Sequence, residues 1–174
     1  MQGNQRQAVL MAYLAGIIDG EGSFMITKTS IDKMARNTRS KTTRYLAFFS
    51  IGMVDREPLD LIIDAIGAGK IYEERVPNAR TLYRVRFGGR LKLIPFIKNL
   101  LPYLIVKKTR AKIVLDFCEK WITSGRKEHG YREYVSVEEL QRREDSYQLM
   151  RKLNAVGAAA TTKSFSKREL EAIV

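Results

Sequence analysis

The amino-acid sequence predicts an α+β fold, in which the elements follow the order αββαββα and further helices complete the C-terminal part. Three observations support this prediction. Four segments alternate polar and apolar residues with the period of a β-strand, longer segments repeat apolar residues at helical spacing, and glycines separate the two kinds of segment. The length of 174 residues suits one compact domain with an appended helical part.

The first helix is predicted over residues 7–18. One face of this helix carries small residues at intervals of four, namely Ala8, Ala12 and Gly16. Small residues at this spacing allow another helix to approach closely. The helical pattern ends at residues 19–22 (DGEG), and the alternation of residues 23–29 predicts a strand. Residues 30–43 are polar and basic, and we expect a loop or an irregular hairpin there.

A second strand is predicted over residues 44–53 and is expected to pair with the first. Asp55 is a candidate N-cap for the next helix, which places apolar residues at helical spacing on one face and ends at Gly67. Two more strands are predicted over residues 69–75 and 81–87.

Helices follow the last strand. A short helix is predicted over residues 91–101, bent or begun near Pro95, and a longer helix over 107–122. Ser136 and Glu139 have the spacing of a capping box, which predicts a further helix.

These elements predict three parts of the chain. We expect a core over residues 1–122, a C-terminal helical extension over 123–155, and a flexible connector with a short terminal helix over 156–174. Ser166 and Glu169 form a second capping box at the start of that terminal helix.

The composition excludes several classes of protein. A single cysteine, Cys118, excludes a disulfide framework, and a single histidine, His129, excludes most histidine-centred catalysis. No apolar segment is long enough to span a bilayer, and the N-terminal residues lack the pattern of a signal peptide. We therefore expect an intracellular protein without a membrane partner, located in the cytoplasm of a prokaryote or in an organelle.

The charge of the chain points to a polyanionic partner. The sequence contains 31 basic and 19 acidic residues, which gives a formal net charge of +12 at pH 7. Residues 1–112 hold 20 basic and 9 acidic side chains, whereas residues 113–174 hold 11 and 10. Because a basic excess of this size neutralises phosphates and releases counterions, it favours nucleic acid over an anionic membrane surface.

Residues 14–24 (LAGIIDGEGSF) resemble the LAGLIDADG motif of homing endonucleases. The order αββαββα is also that family's fold, and the resemblance covers about residues 8–120. It implies a saddle-shaped antiparallel sheet and, because one copy of the motif is present, a homodimer. It also implies a site-specific endonuclease that cuts both strands of a long pseudo-palindromic DNA target and promotes intron mobility. The implied dimer contact comprises Ala8, Ala12, Ala15, Gly16 and Asp19.

The resemblance implies that Glu21 binds a divalent metal ion and that the carbonyl of Gly20 is a further oxygen ligand. Mg²⁺ prefers oxygen ligands and needs only one or two protein carboxylates when phosphate completes its shell. We therefore expect Mg²⁺, with Mn²⁺ as a substitute. A dimer supplies two such carboxylates for the hydrolysis of a phosphodiester. The alternative for Glu21 is a solvated acid at the edge of the sheet.

The remaining candidate catalytic residues also come from the resemblance. Lys107, in the segment PYLIVKK, resembles the family's active-site lysine, which would polarise the attacking water or stabilise the phosphate charge. The alternative for Lys107 is a phosphate contact alone. Met53 and Val54 stand where relatives often place Gln and Lys, and Met cannot orient a water molecule as an amide does. Arg56 is the candidate to replace that polar role, and the alternative is an exposed arginine at a helix start.

The side chains on the outward face of the predicted strands are candidates for DNA contact. An antiparallel sheet fits the major groove, where Arg recognises guanine and Glu accepts a hydrogen bond from cytosine. The outward residues are Ser23, Met25, Thr27, Thr29, Arg44, Phe48, Ser50, Tyr72, Glu74, Arg84 and Arg86. Basic residues in and beside the loop are expected to contact phosphates instead, namely Lys28, Lys33, Arg36, Arg39 and Lys41.

Two other functions stay open at this point. The same basic surface would serve an RNA-binding maturase that assists splicing, with its own intron RNA as the partner. A catalytically silent DNA-binding regulator is the third hypothesis, because Met53 and Val54 depart from the family's pattern. Glu21 and Lys107 favour the nuclease over both, since a protein that only binds has no need for an acid near phosphates.

Overall fold

The structure is a computed structural model. It describes residues 2–35, 38–67, 69–75, 80–121 and 135–155, with side chains described outside residues 2–4 and 31–42. The elements are α1 (Gln2–Glu21), β1 (Gly22–Ala35), β2 (Thr38–Met53), α2 (Glu57–Ile66), β3 (Ile71–Glu74), β4 (Leu82–Gly88), α3 (Arg90–Leu100), α4 (Lys108–Glu119) and α5 (Val137–Asn154). This order confirms the predicted α+β class and the αββαββα arrangement, followed by two more helices.

The four strands form one antiparallel sheet in the order β1-β2-β4-β3. One face of the sheet is apolar and packs against the helices. Phe24, Phe49 and Phe87 form a row across three strands, and Phe96 of α3 packs on the last two with ring centroids 5.2 and 5.1 Å apart. This buried row fixes which face of the sheet is left for a partner.

The β1–β2 hairpin is longer than the alternation of apolar residues indicated. Pairing is continuous from Gly22 and Ile51 to Ala35 and Thr38, so the segment predicted as a loop or an irregular hairpin continues both strands. Backbone hydrogen bonds hold such a ladder together, and they do not need an apolar face. Of the two expectations for residues 30–43, the hairpin is confirmed for the described residues and the loop is wrong.

Helix α1 extends three residues beyond the predicted end and includes Gly20 and Glu21. The chain then turns directly into β1 at Gly22. A Cβ atom at Gly22 would lie 2.8 Å from the carbonyl oxygen of Ile18 and 3.0 Å from the ring of Phe49, so only glycine fits this junction. The tight junction places the last helical residue beside the first residues of the sheet.

Helix α2 begins differently from the prediction. Asp55 is not its N-cap, because the helix begins after Arg56, which has helical dihedral angles and provides no side-chain cap. Pro58 near the N-terminus needs no backbone donor there. The predicted end is confirmed, since Gly67 adopts a left-handed conformation with φ of 64°.

The last three helices follow the sequence pattern with small shifts. Pro95 lies inside α3 rather than at its start. Ser136 caps α5 by accepting a hydrogen bond from the backbone of Glu139, but the Glu139 side chain pairs with Arg142 and Arg143 instead of closing the box. Neither the connector predicted from residue 156 onward nor the terminal helix falls within the described residues. No helix in the described ranges combines the length and the apolar character needed to cross a membrane.

Candidate functional site

The carboxylate of Glu21 lies at the C-terminal end of α1, next to the start of the sheet. The side chain is exposed, and it makes no hydrogen bond or ion pair with any residue that the structure describes. A carboxylate without a protein partner can bind a cation. The end of a helix also exposes backbone carbonyls, which are oxygen ligands of the same chemical kind.

Lys107 lies at the start of α4 and reaches the end of α1. Its Nζ donates hydrogen bonds to the carbonyl oxygens of Ile18, at 2.9 Å, and Gly20, at 3.0 Å. Burial, and then the charge of Arg110, hold the pKa of Lys107 below that of an ordinary lysine, while Asp19 and Glu21 act in the opposite direction. The structure therefore brings Lys107 to the same helix end as Glu21, while the catalytic roles of both residues stay predictions.

Asp19 binds the segment that precedes α4. Its carboxylate accepts hydrogen bonds from the backbone N–H groups of Ile105, Val106 and Lys107, at 2.8, 3.1 and 2.8 Å. Asp19 thus links the end of α1 to the segment before α4 within its own chain, and its part in a dimer contact stays a prediction. Sequence reasoning did not find this role, since the donors are backbone groups 86 to 88 residues away.

The donor set at this helix end suits a hard divalent cation. Glu21 contributes one carboxylate, and the Gly20 carbonyl has two lone pairs, of which the bond from Lys107 uses one. Within the described ranges, no group of three or more His, Cys, Asp or Glu residues could hold a metal ion by itself. A cation here would therefore need ligands from outside the chain, and Mg²⁺ commonly takes phosphate and water in that role.

The other predicted catalytic positions lie at the end of β2 and before α2. The guanidinium of Arg56 pairs with Asp60, with Nε and Oδ2 3.2 Å apart, and both side chains are about half exposed. Met53 packs against the apolar core, and Val54 is exposed. A role for Arg56 in catalysis stays a prediction.

The register of the sheet places the predicted outward side chains on one face. Directly paired residues point to the same side of an antiparallel sheet. The pairs on this face are Ser23 with Ser50, Met25 with Phe48, Thr27 with Leu46, Thr29 with Arg44, Ser50 with Arg86, and Tyr72 with Arg84. Glu74 joins them, because it pairs with Leu82, two residues from Arg84. DNA contact by these residues stays a prediction.

Two residues of this face are buried rather than exposed. Phe48 is only 7% exposed and Ser50 only 5%. The guanidinium of Arg86 lies over the ring of Phe48, 3.8 Å from its centroid, in the geometry of a cation–π contact. The expectation that Phe48 and Ser50 contact a ligand directly is corrected accordingly. Arg86 is the exposed group of this cluster, and the ring beneath it restricts its orientation.

Arg84 and Glu74 form a bidentate ion pair on the same face. The two bonds run from Nε to Oε1 at 2.7 Å and from Nη2 to Oε2 at 3.0 Å. The hydrogen bonds from Arg84 lower the pKa of Glu74. The strand spacing places both residues where the sequence predicted, but the sequence did not indicate that they bind each other.

Lys28 lies on the opposite face of the sheet, among the helices. Its Nζ is 2.8 Å from Oε2 of Glu144 in α5, and that oxygen also accepts a hydrogen bond from the hydroxyl of Tyr45. The prediction that Lys28 contacts phosphate is therefore withdrawn. The alternation of strand residues could have revealed this, because Lys28 follows Phe24 and Ile26 at intervals of two. Lys33, Arg39 and Lys41 fall in the range without described side chains, and Arg36 lies outside the described residues.

Helix α1 exposes a stripe of small and apolar residues. Val9 is 66% exposed and Tyr13 51%, and Ala12 and Gly16 are exposed between them. Ala15 was predicted for the dimer contact, but it is fully buried in its own chain, because it lies on the core side of the helix. Ala8 is half-buried.

Cys118 of α4 is a core residue. Burial raises the pKa of its thiol to about 11, so the thiolate that a nucleophile requires is scarce at neutral pH. His129 lies outside the described residues.

Comparison with known proteins supplies a family and a fold. Residues 14–120 match the family described as LAGLIDADG endonuclease. No match was found among curated proteins. The homing endonuclease I-CvuI, in complex with its target in the presence of 2 mM Ca, is 15% identical, with 97% of this chain and 94% of that chain covered and a TM-score of 0.59.

Two further solved structures are similar. The archaeal intron-encoded homing endonuclease I-Vdi141I, complexed with DNA, is 22% identical over 94% of this chain and 92% of that chain, with a TM-score of 0.57. I-CvuI in complex with the I-CreI target in the presence of 2 mM Mg is 21% identical over 66% and 69% of the two chains, with a TM-score of 0.52. At these identities the structural similarities establish the fold.

Proposed function

This chain belongs to the LAGLIDADG endonuclease family, and we propose that it is a site-specific DNA endonuclease that hydrolyses phosphodiester bonds in both strands of a long pseudo-palindromic target. The observation that carries this proposal is the position of Glu21. Its unpaired carboxylate lies at the helix end that Lys107 reaches, beside the basic face of the sheet. A protein that only binds nucleic acid gains nothing from an exposed acid at this place, because the acid repels phosphate.

In this proposal, Glu21 and the Gly20 carbonyl would hold Mg²⁺, with Mn²⁺ as a substitute. When bound, the ion supplies activation of a water molecule and stabilisation of the leaving oxygen. Lys107 holds the two carbonyls of the helix end in place and presents its positive charge to the scissile phosphate. Asp19 fixes the backbone around Lys107, so the ammonium and the carboxylate keep one relative position.

The target would be bound by the open face of the sheet. Arg86 and Arg84 offer guanidinium groups for guanine, and Glu74 offers a carboxylate for cytosine. The polar residues of β1 and β2 extend this surface outward from the metal-binding end. Sequence recognition by the sheet is what makes the proposed cleavage site-specific.

A homodimer follows from the single motif and from the stripe on α1. Gly16 and Gly20 have no described atom within 4 Å of the place where a Cβ would stand. Glycine inside a helix costs about 0.5–1 kcal/mol relative to alanine. Since no residue that the structure describes requires these glycines, we propose that a second copy packs against Ala12 and Gly16 and brings a second Glu21 to the symmetry axis. Promotion of intron mobility is the biological role that we propose for the cleavage.

The proposed activity is tested on the uninterrupted host allele of the DNA that flanks the coding region. We expect the wild-type protein to cut this duplex in Mg²⁺, and we expect Glu21→Gln to cut it about a hundredfold more slowly or worse. Binding should change little, because the substitution keeps the shape of the side chain. Cleavage rates and binding constants on the same labelled duplex measure both effects.

Asp64→Asn is the matched control, because it removes one exposed negative charge from α2, away from the end of α1. It should leave cleavage and binding unchanged. Tight binding by the wild-type protein without any cleavage in Mg²⁺ or Mn²⁺ would overturn the enzyme proposal and favour a DNA-binding regulator. Tight binding to the intron RNA alone would favour a maturase.

A further inference from the structure

A cluster of polar side chains lies on the helix side of the sheet, away from Glu21. It joins Glu144 of α5 to Lys28 of β1 and Tyr45 of β2. We infer that Glu144 is a positioning residue for DNA recognition. It fixes the β1–β2 hairpin, and the fixed hairpin determines how strongly the protein discriminates between bases at the positions that the outer part of the hairpin contacts. This inference rests on the proposed function, since it concerns how the sheet reads the target.

Both oxygens of the Glu144 carboxylate accept hydrogen bonds in this cluster. Oε2 accepts from the ammonium of Lys28, at 2.8 Å, and from the hydroxyl of Tyr45, while Oε1 accepts from Nε2 of Gln148, at 2.6 Å. The hydrogen bonds from Lys28, Tyr45 and Gln148 lower the pKa of Glu144 to about 2. The group is therefore ionised at neutral pH, and its charge is opposite to that of Lys28.

The carboxylate of Glu144 bonds to both strands of the hairpin at the same paired position. Lys28 and Tyr45 are a directly opposed cross-strand pair, so a single carboxylate holds β1 and β2 together. Among the hairpin side chains that the structure describes, which reach out to Ser30 and Thr43, this is the outermost pair that bonds to a helix. Farther out, the hairpin continues for seven more pairs, from Thr29 and Arg44 to Ala35 and Thr38.

The neighbours of this pair point to the other face. Because side chains alternate along a strand, Thr27 and Thr29 of β1 and Arg44 and Leu46 of β2 belong to the proposed DNA face. Glu144 holds residues 28 and 45 from the helix side. It thus fixes the position and orientation of the four neighbouring side chains on the other face of the sheet. Thr27 also donates to the carbonyl of Leu46, at 3.4 Å, which couples the two strands on that face.

The helix that carries Glu144 is itself anchored. Near its C-terminus, Asn154 donates to the carbonyl of Phe24 in β1, at 3.3 Å, and accepts from Nε of Arg110 in α4, at 2.9 Å. The two attachments to β1, at Phe24 and at Lys28, lie four residues apart on the same strand. A rigid helix with two attachments can resist bending of the strand between them.

The position of the cluster predicts which base pairs depend on it. A strand advances about 3.3 Å per residue, and a duplex rises about 3.4 Å per base pair, so a strand that follows the groove covers about one base pair per residue. Thr27 to Thr29 lie five to seven residues beyond Gly22, where the sheet begins beside Glu21. The affected base pairs should therefore lie about five to seven positions from the cleaved phosphate.

The test compares base discrimination in three full-length variants. Wild-type protein first selects duplexes from a library of random DNA, with Ca²⁺ in place of Mg²⁺. Binding is then measured for every single base-pair change in the selected sequence. Glu144→Gln removes the charge and keeps the size, Lys28→Met removes the partner on the strand, and Asp145→Asn is the control, since it removes an equal charge from an exposed neighbour that bonds Gln141 instead.

We expect Glu144→Gln and Lys28→Met to lower discrimination about fivefold or more at the outer positions and less than about twofold at the positions next to the cleaved phosphate. Asp145→Asn should reproduce the wild-type profile. Amide hydrogen exchange without DNA provides a second readout. The amides of residues 27–30 and 43–46 should exchange faster in Glu144→Gln, while those of α1 and β4 should not change.

Each contrary result has a distinct meaning. A uniform loss of affinity at all positions, or a loss of thermal stability without a change in the discrimination profile, would overturn the positioning role. Unchanged hairpin exchange in both variants would also overturn it. If the wild-type protein selects no duplex, the proposed function fails, and the exchange experiment still decides whether Glu144 holds the hairpin.

Discussion

At the scale of single residues, the side chain of Asp19 binds the backbone of Lys107 and of the two residues before it, and the side chain of Lys107 binds the backbone on either side of Asp19. Asp19, near the end of α1, accepts from three N–H groups before α4, and Lys107, next to α4, donates to two carbonyls at the end of α1. Orphan groups at the end of one helix and before the start of another are thus satisfied by side chains. The exchange holds Glu21 and Lys107 in a fixed relation.

Lys107→Met is expected to lower the rate of DNA cleavage more than the affinity for DNA. The substitution keeps most of the apolar stem and removes the ammonium together with its two bonds to carbonyls. We expect at least about a tenfold larger effect on cleavage than on binding, and a stability loss of about 1–2 kcal/mol from the lost hydrogen bonds. Single-turnover cleavage, binding and urea denaturation measure these quantities.

Lys108→Met is the control for this prediction, because Lys108 is the next residue and is exposed. It should weaken binding slightly and leave the cleavage step unchanged. Equal losses of cleavage and binding in Lys107→Met would reduce Lys107 to a phosphate contact.

The sequence predicted part of this site. The motif indicated Glu21, the resemblance of the segment PYLIVKK indicated Lys107, and the structure brings the two residues to one helix end. It could not indicate the partners of Asp19, because backbone groups carry no signal in the sequence. Nor could it indicate Glu144, since the pair with Lys28 joins residues 116 positions apart. The alternation of residues along β1 could have predicted only that Lys28 lies on the apolar side of the strand.

At the scale of elements, α1 has two different faces. One face is buried and includes Leu14, Ala15 and Ile18, while the other exposes Val9, Ala12, Tyr13 and Gly16. An exposed apolar stripe on a helix marks an interaction surface. The small residues within the stripe allow close approach of a second helix of the same kind.

Gly16→Leu is expected to separate the proposed dimer without unfolding the chain. The added side chain meets no described atom within 4 Å of its Cβ position, and leucine favours a helix more than glycine does. Sedimentation should show one chain instead of two, and circular dichroism should retain the helical signal. An unchanged sedimentation mass would contradict pairing through α1.

Gln7→Leu serves as the control, because it places an exposed leucine on the opposite side of the same helix, nine residues before Gly16. It should leave the mass unchanged.

The order of the elements was predictable, and their ends were less so. Periodicity located the apolar centres of the four strands and of the first four helices within the described ranges, and the capping box located α5. The sequence pattern placed the end of α1 too early, because glycine and acidic residues were interpreted as a stop although backbone bonding continues through Glu21. It left the outer part of the hairpin open between a loop and an irregular hairpin, because backbone pairing and not an apolar face continues the strands there.

At the scale of the whole molecule, positive charge is concentrated in residues 1–112, with 20 basic and 9 acidic side chains. This range includes the sheet and the helices that carry Glu21 and Lys107. Several cations in it are already paired, such as Lys28 with Glu144 and Arg84 with Glu74. The remaining excess supplies the electrostatic part of DNA binding in the proposed function.

DNA binding is therefore expected to depend strongly on salt. With two copies of the chain contacting phosphates along one target, affinity should fall about a thousandfold or more between about 50 and about 200 mM salt. Fluorescence anisotropy with a labelled target duplex measures the slope. A loss smaller than about tenfold would contradict a binding surface dominated by phosphate contacts.

The separation of Lys28 and Glu144 has a consequence for how the protein is made. On the ribosome, the strands of the sheet and the helices up to Glu119 emerge before α5 is complete. The buried row of phenylalanines can form at that stage, because all its members precede residue 97. The hairpin then receives its attachment to Glu144 only after α5 has emerged. A chain whose synthesis stops before α5 would thus have its row of phenylalanines and its Glu21 carboxylate, but its hairpin would lack the support of α5.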